Sequence, residues 1–245
     1  MTTTEHLVAN NRRTRDLPKI IFGQTAFALL ITFVALSIAF YAQGYRYDFK
    51  NLKLINTGVL VLEYQPRDSM VYINDKQISA ISGNIAKNYR PGMYSIRVSK
   101  ANYTSYEQET KVSPRSVTIF DKVTLFLTNP VISPLSDQSK LNLLSAPSED
   151  LTNSNVLSHS KYEIWSGDRL ITRFAAPIDK AIWYTDLRHI VYKQGDEIRV
   201  IGDDGKNDTL LIKLTSSTNI KFVISSRGDE IYYQESGKNY QAIIK

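Results

Sequence analysis

Two groups of side chains in this 245-residue sequence have the types that acid–base or metal chemistry requires. The first is Asp186 with His189 in "TDLRHIVY", where a carboxylate three residues from an imidazole supplies the orienting half of a general-base arrangement. No Gly-x-Ser-x-Gly elbow or comparable nucleophile motif accompanies it, so a turn histidine in water is the expectation. The second is "GDDGKND" at 202–208, which gathers carboxylates and an Asn as a calcium loop would. It lacks the alternating ligands and closing Glu of an EF-hand, and reads as an Asp-Gly hairpin turn instead. His6 falls in the N-terminal tail and His159 in a Ser-rich stretch. Tyr103, Tyr106, Tyr232 and Tyr233 would stack on sugar rings if exposed together, but Tyr is also a favoured strand residue, and sheet packing accounts for most of them.

Other chemistries have no foothold. The sequence contains no Walker loop, no Gly-x-Gly-x-x-Gly and no His-Glu-x-x-His. With no Cys, disulfides, thiol nucleophiles and Cys-ligated metals are excluded. No catalytic, cofactor-binding or metal-ligating residue is assigned from the sequence, no cofactor is expected, and the chain is not expected to be an enzyme.

The element that must position everything else is "KIIFGQTAFALLITFVALSIAFYAQGYRYDFK", residues 19–50. No charged side chain lies between Lys19 and Arg46. The apolar run of about 23 residues from Ile20 is long enough, at roughly 1.5 Å per residue, to cross a roughly 30 Å hydrocarbon core as a helix. Arg12, Arg13, Arg15 and Lys19 precede it; Tyr41, Tyr45, Tyr47 and Phe49 follow it as an interfacial aromatic belt. A cleaved signal peptide shares the charged-then-apolar order, but its apolar core is only about 7 to 15 residues. The passable small-x-small site, Ser37-Ile38-Ala39, sits near the end of the longer run. A retained anchor is therefore expected, with a cytoplasmic tail at 1–19, a transmembrane helix at 20–43 and the remainder outside the cytosol.

Beyond the span the period changes. "TGVLVLEYQP", "SMVYINDKQI", "GMYSIRVSK" and "SVTIFDKVTLFL" are short runs of β-branched and aromatic residues bounded by turn formers. Asn74-Asp75 suits a tight hairpin with positive φ at both central residues, and Pro91-Gly92 marks another reversal. Residues 46–128 carry twelve basic against seven acidic side chains, so the basic excess of the chain sits here. Such a face suits anionic partners at the envelope, although an ordinary solvated sheet surface is the default account of it.

From Thr57 to Leu127, the opening "GVLVLEYQP", then "VYINDKQI", then "YRPGMYSIRVSKANY" resemble the PEGA domain family in order and spacing. The family signature Pro-Glu-Gly-Ala appears as Pro66-Arg67-Asp68-Ser69, and two family glycines appear as Asp75 and Asn102, residues that tolerate left-handed backbone. The resemblance implies a small antiparallel β-sandwich at 55–128 with a surface-binding or adaptor role and no catalytic residues.

Residues 129–160, rich in Ser and Pro, read as a linker or irregular repeat. After Lys161 strands resume with an internal repeat: Trp183 aligns with Phe222, and Ile190-Val191-Tyr192 with Ile231-Tyr232-Tyr233, at an offset of about 40. "KYEIWSGDRLITRF" parallels the second half of such a unit. The segment 161–245 resembles part of a TolB-like β-propeller, with two to two and a half blades where a closed ring needs about four to eight. Truncation, pairing with a second copy, or a small sheet stack in place of a ring would account for the shortfall.

The fold class expected is mainly β: an N-terminal transmembrane helix, a PEGA-like sandwich and partial propeller-type repeats. The function expected is binding or scaffolding at the cell envelope, on a polysaccharide or protein partner, possible as a homo-oligomer and without nucleic acid. The alternative is an exported hydrolase acting on envelope polymers, with its site in the propeller-like half.

Overall fold

The structure, a computed structural model, describes residues 3–49, 52–78, 83–145, 157–216 and 220–245, with side chains from residue 22 onward. It is mainly β, and two compact units divide it: residues 1–59, 88–92 and 112–118 form the first, and residues 60–87, 93–111 and 119–245 the second.

In the first unit, helix α1 runs Thr3–Ala42. Its Phe22–Ala42 part, 21 residues with a mean hydropathy of 2.1 and none of it buried, is long and apolar enough to cross a membrane. The hydroxyls within it turn back on the helix, Thr32 Oγ1 donating to Ala28 O at 2.9 Å and Ser37 Oγ to Phe33 O at 2.8 Å, which removes their cost in an apolar surrounding. The helix starts well before the expected 20–43 span and takes in most of the 1–19 tail, whose Ala, Leu, Glu and Arg residues favour helix. It is followed by a hairpin of β1 (Tyr45–Asp48) and β2 (Lys53–Asn56).

Seven strands follow: β3 (Gly58–Gln65), β4 (Met70–Ile73), β5 (Lys76–Ile78), β6 (Asn84–Tyr89), β7 (Gly92–Ser99), β8 (Tyr106–Val112) and β9 (Val117–Thr124). They form two sheets, ordered β6-β3-β9 and β5-β4-β7-β8. Alternation decides their buried sides: Leu60, Leu62 and Tyr64 are buried on β3, Ile96 and Val98 on β7. The turns are those expected. Asn74 and Asp75 have φ of 49° and 60° between β4 and β5, and Asn102 has φ of 66°.

The stretch 129–160, expected as a linker or irregular repeat, carries regular structure in its described part. Strand β10 (Val131–Pro134) pairs antiparallel with a strand more than a hundred residues later, and helix α2 (Gln138–Ser145) follows, its first turn capped by Asp137 Oδ1 accepting from Ser139 N at 2.8 Å. Composition failed there because an edge strand is defined by backbone pairing with a distant partner.

The C-terminal part of the second unit holds three antiparallel sheets. The first comprises β11 (Leu157–His159), β12 (Glu163–Ser166) and β13 (Arg169–Arg173); the second β14 (Ile178–Trp183), β15 (His189–Gln194), β16 (Glu197–Gly202) and β17 (Thr209–Lys213). The third takes β18 (Lys221–Ile224), β19 (Glu230–Glu235) and β20 (Lys238–Ile243), with β10 as its fourth strand beside β20. Three sheets therefore stand where two to two and a half units were expected, and among the described residues they do not close into a ring.

The repeat is real but shifted. Trp183 pairs with Ile190 in the second sheet as Ile224 pairs with Ile231 in the third, so Trp183 corresponds to Ile224 and not to Phe222. The strand-joining turns correspond too: Leu187 and Gly228 both adopt left-handed backbone, at φ of 57° and 74°. At Gly228 a Cβ would also lie 2.6 Å from the Tyr184 hydroxyl oxygen, which leaves glycine as the residue that fits.

The second sheet is buried on both faces. Ile190, Tyr192 and Ile201 pack with Ile164 and Ile171 of the first sheet; Val191, Ile198 and Val200 pack with Phe222, Ile231 and Tyr233 of the third. The far face of the third sheet meets α2, where Lys140 Nζ sits 2.8 Å from Glu230 Oε2 and 5.0 Å from the Tyr232 ring centroid.

Candidate functional site

Within the second unit a cleft of about 210 Å³ is lined by side chains from β8, β9, the start of β15 and the β16–β17 loop. Its lining takes His189 from the first group that the sequence singled out and Gly202, Asp203, Asp204 and Asn207 from the second. His189 opens β15 and Asp186 lies in the turn before it, with His189 Nδ1 2.7 Å from Asp186 Oδ2. The other carboxylate oxygen accepts the backbone N–H of Arg188 at 2.8 Å and of His189 at 3.0 Å, so the turn itself sets the pair's geometry. Burial pushes the Asp186 carboxyl up, but these hydrogen bonds and the adjacent imidazole outweigh it and hold the group below the ordinary carboxylate range.

The imidazole is not in water, contrary to expectation: His189 is 8% exposed. It lies edge-on to Phe126 and Tyr184, with centroids 5.6 and 6.1 Å away. The reason is the strand: the β15 ladder carries His189 into the layer between the second and third sheets, with Val191 two residues on. Its second ring nitrogen makes no hydrogen bond among the described residues. The arrangement supplies the orienting half of a proton-transfer device; the Thr124 hydroxyl at 3.5 Å donates to the Asp186 carboxylate, and among the described residues no hydroxyl hydrogen-bonds the imidazole.

"GDDGKND" is the β16–β17 hairpin, as its turn residues imply. Its polar groups are engaged by the protein. Asp203 takes Arg188 at 3.3 Å and its carbonyl takes Arg169 at 3.0 Å. Asp204 accepts from Gln108 at 3.3 Å, Asn207 Oδ1 from the Glu107 N–H at 3.2 Å, and Asp208 from Arg199 at 3.1 Å. Gly205, at φ of 78°, brings the loop so near β13 that a Cβ would stand 2.6 Å from the Ile171 carbonyl oxygen. Among the described residues no cluster of His, Cys, Asp and Glu has the geometry of a metal site.

Arg188 is the centre of the cleft, and sequence reasoning passed over it. Its guanidinium bridges Asp121 on β9 at 2.8 Å and Asp203 at 3.3 Å, and the hydrogen bond it donates to Asp121 raises its pKa further. Lys122, at φ of 58°, donates to the Asp186 carbonyl at 2.9 Å. Tyr106 donates its hydroxyl to Gln108 Oε1, and burial with Asp204 and Asp203 nearby pushes its pKa up. These contacts clasp β8 and β9 to the second sheet. The visible signal was charge alone, since an arginine and two aspartates far apart in the sequence look like ordinary solvated surface charges.

No family model, curated protein or solved structure matches this chain. The cleft's chemistry therefore rests on its own geometry.

The tyrosines do not assemble a stacking platform. Tyr232 and Tyr233 are buried and, as neighbours on one strand, point to opposite faces of the third sheet. Tyr103 is half-buried under Lys100, whose Nζ lies 4.9 Å from the ring centroid, and Tyr106 lines the cleft. His159 is exposed on β11, and the His6 side chain lies outside the described residues.

Proposed function

We propose that this chain is a single-pass membrane protein of the cell envelope, its N-terminus cytoplasmic, which binds or scaffolds a partner through extracytoplasmic β modules. The observation that carries the reading is the bare apolar stretch Phe22–Ala42, joined through Gln43 and Gly44 to strands. A helix of that length and hydropathy is stable without a protein core only in lipid. The PEGA-like sandwich is supported by left-handed backbone at Asp75 and Asn102, where that family places glycine. The TolB-like kinship is supported by the uniform offset of 41 residues between Trp183 and Ile224 and between Ile190 and Ile231. Binding rather than catalysis is favoured because the charged groups in the cleft are spent on one another.

Alkaline carbonate washing of membranes and external proteolysis test the reading together. The intact mass should stay with the membrane, and protease added outside an opened outer barrier should remove the β modules. A mature product beginning near Phe40 would mark α1 as a cleaved leader and refute the anchor. The exported-hydrolase reading draws on the His189–Asp186 pair beside the cleft. It would prevail if envelope polymers were turned over by the full chain and not by Asp186→Asn or His189→Gln.

A further inference from the structure

We propose that the β1–β2 hairpin is a second membrane contact, laying one face into the headgroup–acyl boundary of the bilayer that α1 crosses; the inference rests on the anchored reading above. The register places Tyr47 opposite Leu54; just beyond β1 the Phe49 ring meets the Tyr47 ring edge to face at 4.9 Å between centroids, and Leu52 directly precedes β2. Those four side chains are 45%, 57%, 81% and 74% exposed, in that order. On the opposite face Asp48 is buried and pairs with Arg90 at 3.4 Å, while its register partner Lys53 stays exposed. A hairpin that buries a carboxylate while leaving four large apolar side chains bare inverts the pattern that water imposes on a surface element.

Its position removes the choice of occupant. Only Gln43 and Gly44 separate α1 from β1, and the two elements are fastened together. The Phe40 and Tyr45 rings meet edge to face at 5.3 Å; the Arg46 guanidinium lies 3.6 Å from the Tyr41 centroid and donates to Tyr41 O at 2.8 Å; Thr57 Oγ1 donates to Gly44 O at 2.8 Å. The hairpin is thus held at the level where the apolar helix ends. Arg46, Lys53 and Arg115, whose guanidinium donates to the Tyr45 hydroxyl, add positive charge there, complementary to anionic headgroups.

The absence of Cys allows a direct test on the full chain. Phe49→Cys, Leu52→Cys and, as a control at the start of β20 in the second unit, the exposed Lys238→Cys would each carry an environment-sensitive fluorophore. The proteins are reconstituted into vesicles of phosphatidylcholine and phosphatidylglycerol and floated on a density gradient. The expected result is flotation of all three, with emission from positions 49 and 52 blue-shifted against 238, quenched by nitroxide lipids and protected from iodide. If all three float but 49 and 52 respond to iodide as 238 does, the hairpin proposal is overturned and the anchor stands. Shielding from both quenchers would indicate a second copy of the chain on this face and would also overturn it. If the chain does not float, the anchor itself fails and the hairpin contact fails with it.

Discussion

The carboxylate of Asp186 accepts two backbone N–H groups and faces the imidazole of His189, and its pKa is held below the ordinary carboxylate range. A carboxyl depressed by folding contributes stability that is present above its unfolded pKa and is lost as pH falls through the folded one. The acid limb of unfolding should therefore steepen below about pH 4. Asp186→Asn keeps the shape but loses the charge. It should cost roughly 1–3 kcal/mol at pH 7, the usual range for hydrogen bonds to a charged group, and should flatten that limb. Denaturation midpoints of the detergent-solubilised chain at pH 3 and pH 7 measure both effects. The pair itself was legible in the sequence as chemistry; its burial was not, because nothing local to "TDLRHIVY" reveals that a third sheet covers the histidine.

At the scale of elements, the sequence spoke most clearly where the pattern was local. The apolar run, the Asn74-Asp75 turn and the alternation of Ile96 and Val98 all follow from neighbours within a few residues. Strand β10 was invisible for the opposite reason. Val131 and Ile132 are 60% and 45% exposed, so no buried stripe marks them, and their partner β20 is remote in the chain. Helix α2 did carry a signal in its Asp137 cap, obscured by the Ser-rich composition around it. Amide hydrogen exchange discriminates a paired strand from a linker. The Leu127 and Leu135 N–H groups, which donate to Ile244 O at 2.8 Å and Asn239 O at 2.9 Å, should exchange as slowly as residues 238–243. Exchange at the rate of free chain would contradict the pairing.

For the second unit as a whole, the Asp121–Arg188–Asp203 bridge ties β9 to the second sheet's hairpin and turn. All three side chains are partly exposed, so the bridge is screened by solvent and by salt. Arg188→Gln should lower stability by only about 1 kcal/mol. Its larger effect should be on cooperativity, with β3–β9 and the three C-terminal sheets melting as separate transitions in calorimetry. Added salt should move the unmodified chain toward the same behaviour. A single sharp transition in the variant would show that apolar packing, for instance Phe126 against Tyr184 with centroids 5.4 Å apart, suffices to couple them.

Helix α2 rests on the flank of the third sheet, where another layer would otherwise lie, while Tyr162 and Leu170 on and beside the first sheet remain 41% and 39% exposed. Growth of such a pile has a direction. A duplicated unit, or a neighbouring molecule joining layer to layer, would meet a lid on one side and a landing on the other, so enlargement would proceed from the β11–β13 end.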